Sequence, residues 1–195
     1  LNIVFNETVR LSGLINDLLD YSKIESGKFP MNKANFDINE LIARTLFTFE
    51  TRVDDKELDV QGSFSQERCF VHADIDRISQ VLRNLIDNAI KFTRTKGVLR
   101  VKTYLMASKN RVYVTVQDNG MGIPKEDIRH IWESFYKVEK AHTPGSEGTG
   151  LGLSIVKRIM DQHDSKIFVT SELGRGTTFC FTLDAVSGDS YQRLR

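Results

Sequence analysis

Residues 97–117 read Gly97-Val98-Leu99-Arg100-Val101-Lys102-Thr103-Tyr104-Leu105-Met106-Ala107-Ser108-Lys109-Asn110-Arg111-Val112-Tyr113-Val114-Thr115-Val116-Gln117. Polar and apolar residues alternate on both sides of Ala107–Asn110, the period of half-buried strands joined by a reversal. The stretch is an antiparallel hairpin. Lys166–Ser171 and Thr177–Leu183 predict a second hairpin around Leu173-Gly174-Arg175-Gly176. Leu58–Val60 and Arg68–Val71 read as short strands. Helices are interleaved. Asp37 can cap one over 38–52, with Glu40 at the reciprocal position of a capping box. Asp74 caps another that runs to Phe92, with Ile78, Val81, Leu82, Leu85, Ile86, Ala89 and Ile90 as its buried stripe. Pro124 opens a third at the first-turn position that proline tolerates. A fourth spans about 149–162. Hairpins dominate the second half, so the expected fold is an α/β (α+β) two-layer sandwich. Its mixed, mainly antiparallel sheet is covered on one face by about three helices, unlike a doubly wound parallel fold.

The chain has 195 residues, enough for one domain with a good core plus a smaller element. A formal net charge of +1 gives no long-range attraction to nucleic acid or acidic membranes. Cys69 and Cys180 sit in apolar company and suit a reducing cytosol. No apolar run approaches the roughly 20 residues that span a bilayer. Residues 1–26 read as one long helix, about 39 Å at 1.5 Å per residue. Leu1, Phe5, Thr8, Leu11, Ile15 and Leu18 recur at spacings of three and four, and Val4, Val9, Leu14, Leu19 and Ile24 widen the apolar face. Such a helix calls for partners, in a bundle or dimer, or else folds back on its own domain. Gly27 and Pro30 end it. The expected division is 1–29, the helix; 30–184, the main domain; and 185–195, a disordered tail. The helix opens at Leu1 without a cap, as in a piece of something longer.

Three stretches carry chemistry. Asp118 ends a strand just before Asn119-Gly120-Met121-Gly122. A buried carboxylate there accepts a hydrogen bond from an exocyclic amine, which adenine offers; guanine's carbonyl oxygen would repel it. The bland alternative is a plain Asp-Asn-Gly turn. Asn84, Asn88 and Lys91 lie at i, i+4 and i+7 of the predicted helix, one face distinct from its apolar stripe. Magnesium at phosphates keeps waters and takes few protein ligands, so a single Asn88 oxygen suits it; Lys91 meets phosphate as a point charge. A solvated polar face is the competing reading. Gly148-Thr149-Gly150-Leu151-Gly152-Leu153 opens a helix, where backbone amides and the helix N-terminus attract phosphate. It is neither a P-loop nor a Rossmann turn. The aperiodic stretch 137–149 is expected to be a mobile lid.

Together these stretches resemble the histidine-kinase members of the ATPase family that includes gyrase, MutL and the heat-shock chaperone ATPase. Phe135 and Tyr136 look like its phenylalanine box, Gly174-Arg175-Gly176-Thr177-Thr178-Phe179 its closing hairpin, and Asp74–Gln80 the approach to its asparagine box. Asn16–Gly27 resembles the end of the second helix of its dimerisation domain. The likeness covers about 1–184. It implies a Bergerat-type fold binding ATP and Mg²⁺, with Asn88 the metal ligand and Asn84 a phosphate-side partner. By the same resemblance Asp118 takes the adenine amine, Gly120 and Gly122 shape its pocket, and Phe92 stacks on the ring. Gly148, Thr149, Gly150, Leu151 and Gly152 frame the lid and phosphates, and Thr178 joins the pocket. Lys91 and Lys137 are the catalytic cations; Lys137 stands where many members carry arginine.

Such a kinase transfers the γ-phosphoryl group to a histidine and thence to a response-regulator receiver aspartate. It works as a homodimer, here through helix 1–26, in the cytoplasm, with room for an inner-membrane receptor as parent. No nucleic-acid or membrane contact by this stretch is expected. The family's acceptor histidine precedes an acidic residue and then arginine, threonine and proline; none of His72, His130, His142 and His163 has that setting. The chain is thus expected to bind ATP without phosphorylating itself. Two alternatives are a non-catalytic ATP-sensing module that signals by lid closure, and an anti-sigma serine kinase, against which the dimer-helix segment speaks.

Overall fold

The computed structural model describes residues 31–65, 68–138 and 149–186, with positions 8, 11, 15 and 19 of the N-terminal segment. The first strand, β1 (Lys33–Asp37), leads into α1 (Ile38–Phe47) and the short α2 (Glu50–Asp55). Then come β2 (Asp59–Phe64), β3 (Phe70–Asp74), α3 (Ile75–Phe92), β4 (Val98–Met106) and β5 (Arg111–Asp118). The chain closes with α4 (Gly152–Gln162), β6 (Ile167–Glu172) and β7 (Gly176–Ala185). The strands form one sheet in the order β1-β3-β7-β5-β4-β2, with β6 beside β7. All pairings are antiparallel except β2 with β4. The expected α/β sandwich with a mixed, mainly antiparallel sheet is what forms.

Alternation explains which side is covered. Leu99 and Val101 of β4, Val112, Val114 and Val116 of β5, and Phe179, Phe181 and Leu183 of β7 are buried. Against them lies the α3 stripe of Ile78, Val81, Leu82, Leu85, Ile86, Ala89 and Ile90, all buried as the heptad-like spacing predicts. Each large side chain so removed from water contributes about 1.5–3 kcal/mol. Helix α4 adds Ile155, Val156, Ile159 and Met160. The other face, which no helix among residues 31–65, 68–138 and 149–186 covers, carries the stacked pair Tyr104 and Tyr113, 4.8 Å between ring centroids.

The cap at Asp74 forms as expected: its Oδ1 accepts from the amides of Asp76 and Arg77, both at 3.1 Å. Asp37 accepts from Asn39 N at 3.0 Å, and also from Cys69 N at 3.1 Å. Glu40 does not complete a capping box, because Arg44 one turn on takes its carboxylate. The helix expected over 38–52 is broken in two. Thr45 and Thr48 turn their hydroxyls onto the carbonyls of Leu41 and Thr45, competing with the helical ladder. The Cys69 thiol is buried and pushed up to about 11, by desolvation first and then by Asp37, so it is inert at neutral pH.

Residues 125–135 form successive turns, with bonds such as Asp127 N to Pro124 O at 3.0 Å and His130 N to Asp127 O at 2.8 Å. The third helix expected at Pro124 is therefore absent. Only Ile131 of this segment is deeply buried, too small an anchor to offset the cost of nucleating a short helix. Strand β7 runs through Ala185, and Val186 N donates to Phe70 O, so the sheet passes the expected boundary at 184. The tail beyond, most of the expected lid and most of the first helix lie outside the described residues. Thr8, Leu11, Ile15 and Leu19 are helical, and the last three are 57%, 50% and 50% exposed.

Candidate functional site

The site is built where the end of α3, the turn after β5 and the start of α4 meet. Helix α3 stops without glycine: Thr93 leaves in extended conformation, φ −79° and ψ 141°. The Phe92 carbonyl then accepts from Met121 N at 3.2 Å. A Cβ on Gly120 would stand 2.3 Å from that same carbonyl oxygen, so only glycine lets the two backbones meet. Packing of protein on protein is thus what Gly120 serves. Gly122 likewise lies against the backbone of Glu172.

Asp118 is 8% exposed at the end of β5. Its Oδ1 accepts from Gly120 N at 2.8 Å and Thr177 N at 3.2 Å, which leaves Oδ2 most of its acceptor capacity. Burial raises its pKa above the usual carboxylate value, and the amides of Gly120 and Thr177 pull the other way. Asn119 is structural: its Oδ1 accepts from Val98 N at 2.8 Å, continuing the ladder of β4. The β6–β7 hairpin clamps the turn, through Gly174 N to Met121 O at 2.7 Å and Ile123 N to Ser171 Oγ at 2.8 Å.

Thr178 falls outside this cluster. It pairs with Gln117 on the face that carries Tyr113, whereas Asp118 lies on the covered face with Thr177. Successive strand residues point to opposite faces, so a one-residue difference moves the hydroxyl away from the site. The Thr177 hydroxyl instead bonds Ser171 Oγ at 2.9 Å. Neither Thr177 nor Ser171 was picked from the sequence; the alternation of Thr177, Phe179 and Phe181 with Asp118 as cross-strand neighbour is the signal that finds Thr177.

Asn84, Asn88 and Lys91 are half-buried along α3. Asn84 Nδ2 donates to Gly152 O at 3.3 Å, which ties α3 to the first residue of α4. The Lys91 ammonium lies 5.3 Å from the centroid of the Phe92 ring, a cation–π pair at the helix end. At the start of α4, Thr149 Oγ1 accepts from Leu151 N at 3.0 Å, and Gly150, with φ +74°, accepts from Phe135 N at 2.9 Å. Leu151 is buried beside Gly152. Lys137 is exposed, and Gly148 lies outside the described residues. The structure thus joins Asn84, Thr149, Gly150, Leu151 and Gly152 at one junction and Phe92, Lys91, Asp118, Gly120 and Gly122 at the next.

No group of three or more His, Cys, Asp or Glu that could hold a metal occurs among the described residues. A cation here would draw most of its ligands from phosphate and water, a habit that fits Mg²⁺ and a single amide oxygen. The buried carboxylate with a spare oxygen fits a purine amine. The donor set therefore suits a magnesium nucleotide.

Residues 73–187 match the family described as histidine kinase-, DNA gyrase B- and HSP90-like ATPase. The chain is 42% identical over 187 residues to Drug sensory protein A of Synechocystis sp., covering 91% of this chain and 28% of that protein. The nucleotide-free catalytic domain of histidine kinase ThkA is similar in structure, with TM-score 0.68 and 32% identity over 79% of this chain and 96% of that one. ThkA in complex with response regulator protein TrrA gives TM-score 0.75 and 31% identity, over 95% and 50%. The chain belongs to this ATPase family, on the branch of the sensor histidine kinases. It is a nucleotide-binding domain of that class, and it spans under a third of the curated relative named here.

Proposed function

We propose that this domain binds Mg-ATP and presents the γ-phosphoryl group to a histidine outside the chain, for relay to the aspartate of a response-regulator receiver domain. The observation that carries the reading is Asp118, buried and amide-held at the end of β5 beside the turn that packs on α3. Its spare oxygen accepts the adenine amine, and Phe92 covers the ring. Asn88 offers its oxygen to Mg²⁺, which neutralises phosphate charge. Lys91 adds a cation, and Lys137 a second. The N-terminus of α4, with Thr149 to Gly152, cradles phosphate. Gly148, Gly120 and Gly122 hold the frame.

The three described histidines support an external acceptor. His163 is 3% exposed with both ring nitrogens engaged, by Asp74 N and by Ile159 O. His72 pairs with Asn35 and His130 with Glu133. Exposed Leu11, Ile15 and Leu19 on helical positions support 1–29 as a dimerisation helix ahead of a catalytic domain starting near 30. No described helix is long and apolar enough to cross a membrane, and a cytoplasmic site of action suits the partner proposed.

Calorimetric titration with Mg-ATP and Mg-GTP, on wild type and Asp118→Asn, tests the reading. Adenine-selective binding, enhanced by magnesium and weakened about 10- to 100-fold by the substitution, is expected for a lost charge-assisted bond. Equal affinity for both nucleotides would sink the assignment of Asp118.

A further inference from the structure

An α-helix ends with four carbonyls that its own ladder cannot satisfy. In α3 each of them has a partner. The ladder ends with Thr93 N donating to Ala89 O at 3.0 Å; beyond it, Phe92 O accepts from Met121 N at 3.2 Å. Ile90 O and Lys91 O both accept from one atom, the Nζ of Lys56, at 2.7 and 3.0 Å. The same ammonium takes Thr93 O at 3.0 Å. Lys56 follows the six-residue α2, whose Arg52 pairs with Asp87 of α3, and the Lys56 carbonyl accepts from Lys96 N at 2.9 Å. It is half-buried, and its pKa is lowered, chiefly by desolvation and then by Arg52.

No glycine cap closes this helix, and its last turn carries Lys91 and Phe92. A cation with three hydrogen bonds stands where a left-handed glycine would ordinarily close the helix. We infer that Lys56, outside the nucleotide motifs, is a positioning residue for the nucleotide site, setting the last turn of α3 so that Lys91 and Phe92 meet phosphate and ring. This rests on the reading of those two residues as nucleotide contacts. The coupling runs through rigid backbone, since the turn fixed by Lys56 is also bonded to Met121 in the Asp118 loop.

The test is Mg-ATP calorimetry on the full chain, well below the melting temperature. Lys56→Met removes the donors and keeps the stem; it is expected to lose about tenfold in affinity while its circular dichroism stays that of wild type. Lys56→Arg keeps the charge but spreads its donors over a plane, and is expected to lose about threefold. Combined with Phe92→Ala, Lys56→Met should cost less than it does alone, because part of what it positions is gone. Wild-type affinity in folded Lys56→Met, or losses that simply multiply in the double variant, would overturn the inference. Should Lys56→Met not fold, wild-type affinity in Lys56→Arg overturns it. Absence of Mg-ATP binding by wild type would overturn the site reading beneath it as well.

Discussion

Asp118 and His163 are both buried, and burial acts on them in opposite senses. Desolvation raises the Asp118 carboxyl, so the folded state holds its proton more tightly than the unfolded chain does. That contribution to stability is present below the unfolded value near 3.8 and is lost as pH rises through the folded one. At neutral pH the ionised side chain is a cost that a bound amine offsets. Asp118→Asn should therefore raise the melting temperature of the nucleotide-free protein at pH 7, with the gain shrinking as pH falls toward 4. A lower melting temperature at pH 7 would mean that the amide bonds outweigh desolvation. For His163, burial lowers the pKa from 6.5 ahead of the opposing bond to Ile159 O, with Lys33, Asp74 and Asp164 as the nearby charges. Asp74 N needs an unprotonated Nε2. The unfolded chain then binds the extra proton first, so stability is full above 6.5 and falls as pH drops below it. Thermal melts from pH 7.5 to 5.5 should show this slope, and His163→Gln should flatten it at a general cost of about 1–3 kcal/mol.

At the scale of elements, two glycines of the site separate packing from ligand contact. A methyl on Gly120 would meet the Phe92 carbonyl at 2.3 Å, and that backbone is already bonded to Met121. Gly120→Ala should cost at least about 2 kcal/mol, read as a lowered denaturation midpoint in urea. A methyl on Gly152 would lie 3.5 Å from Asn84 Oδ1, an ordinary contact, at the first residue of α4. Gly152→Ala should leave stability unchanged or raise it by about 0.4–1 kcal/mol, yet weaken Mg-ATP if phosphate approaches that backbone. Equal binding by Gly152→Ala would remove it from the phosphate cradle. What the sequence showed of these elements follows from where their information lies. The α3 stripe, both hairpins and the Asp74 cap are local patterns, and they were legible. Strand β1 was not read, since Lys33-Ala34-Asn35-Phe36-Asp37 is only five residues at the sheet edge. Strand β2 is legible only over Leu58–Val60; Asp-Val-Gln-Gly-Ser-Phe has one half-buried residue and owes the rest of its length to parallel pairing with β4, a distant partner. The motifs fall together at the junction of α3, the turn after β5 and α4, and Thr177 against Thr178 shows the limit of that reading: face is decided by register, and register by pairing.

For the whole molecule, the proposed function raises the question of where a phosphoryl group would go. The described histidines are engaged: one is buried between α3 and α4, and two bond neighbouring side chains. Meanwhile Leu11, Ile15 and Leu19 stand exposed at four-residue spacing, the pattern of a helix that packs on another. An acceptor on a partner helix docked there would explain both facts. Incubated with γ-labelled ATP alone, the chain should incorporate no label. When a separately made helix bearing the histidine, acidic residue, arginine, threonine and proline is added, label should appear on that helix and be lost with Asp118→Asn. The label should resist alkali and be released by acid, as a phosphorus–nitrogen bond is. Label on the chain itself would place an acceptor within it. ATP binding without transfer to any such helix would favour a module that senses nucleotide and reports it through the contact between α3 and α4, where Asn84 meets Gly152.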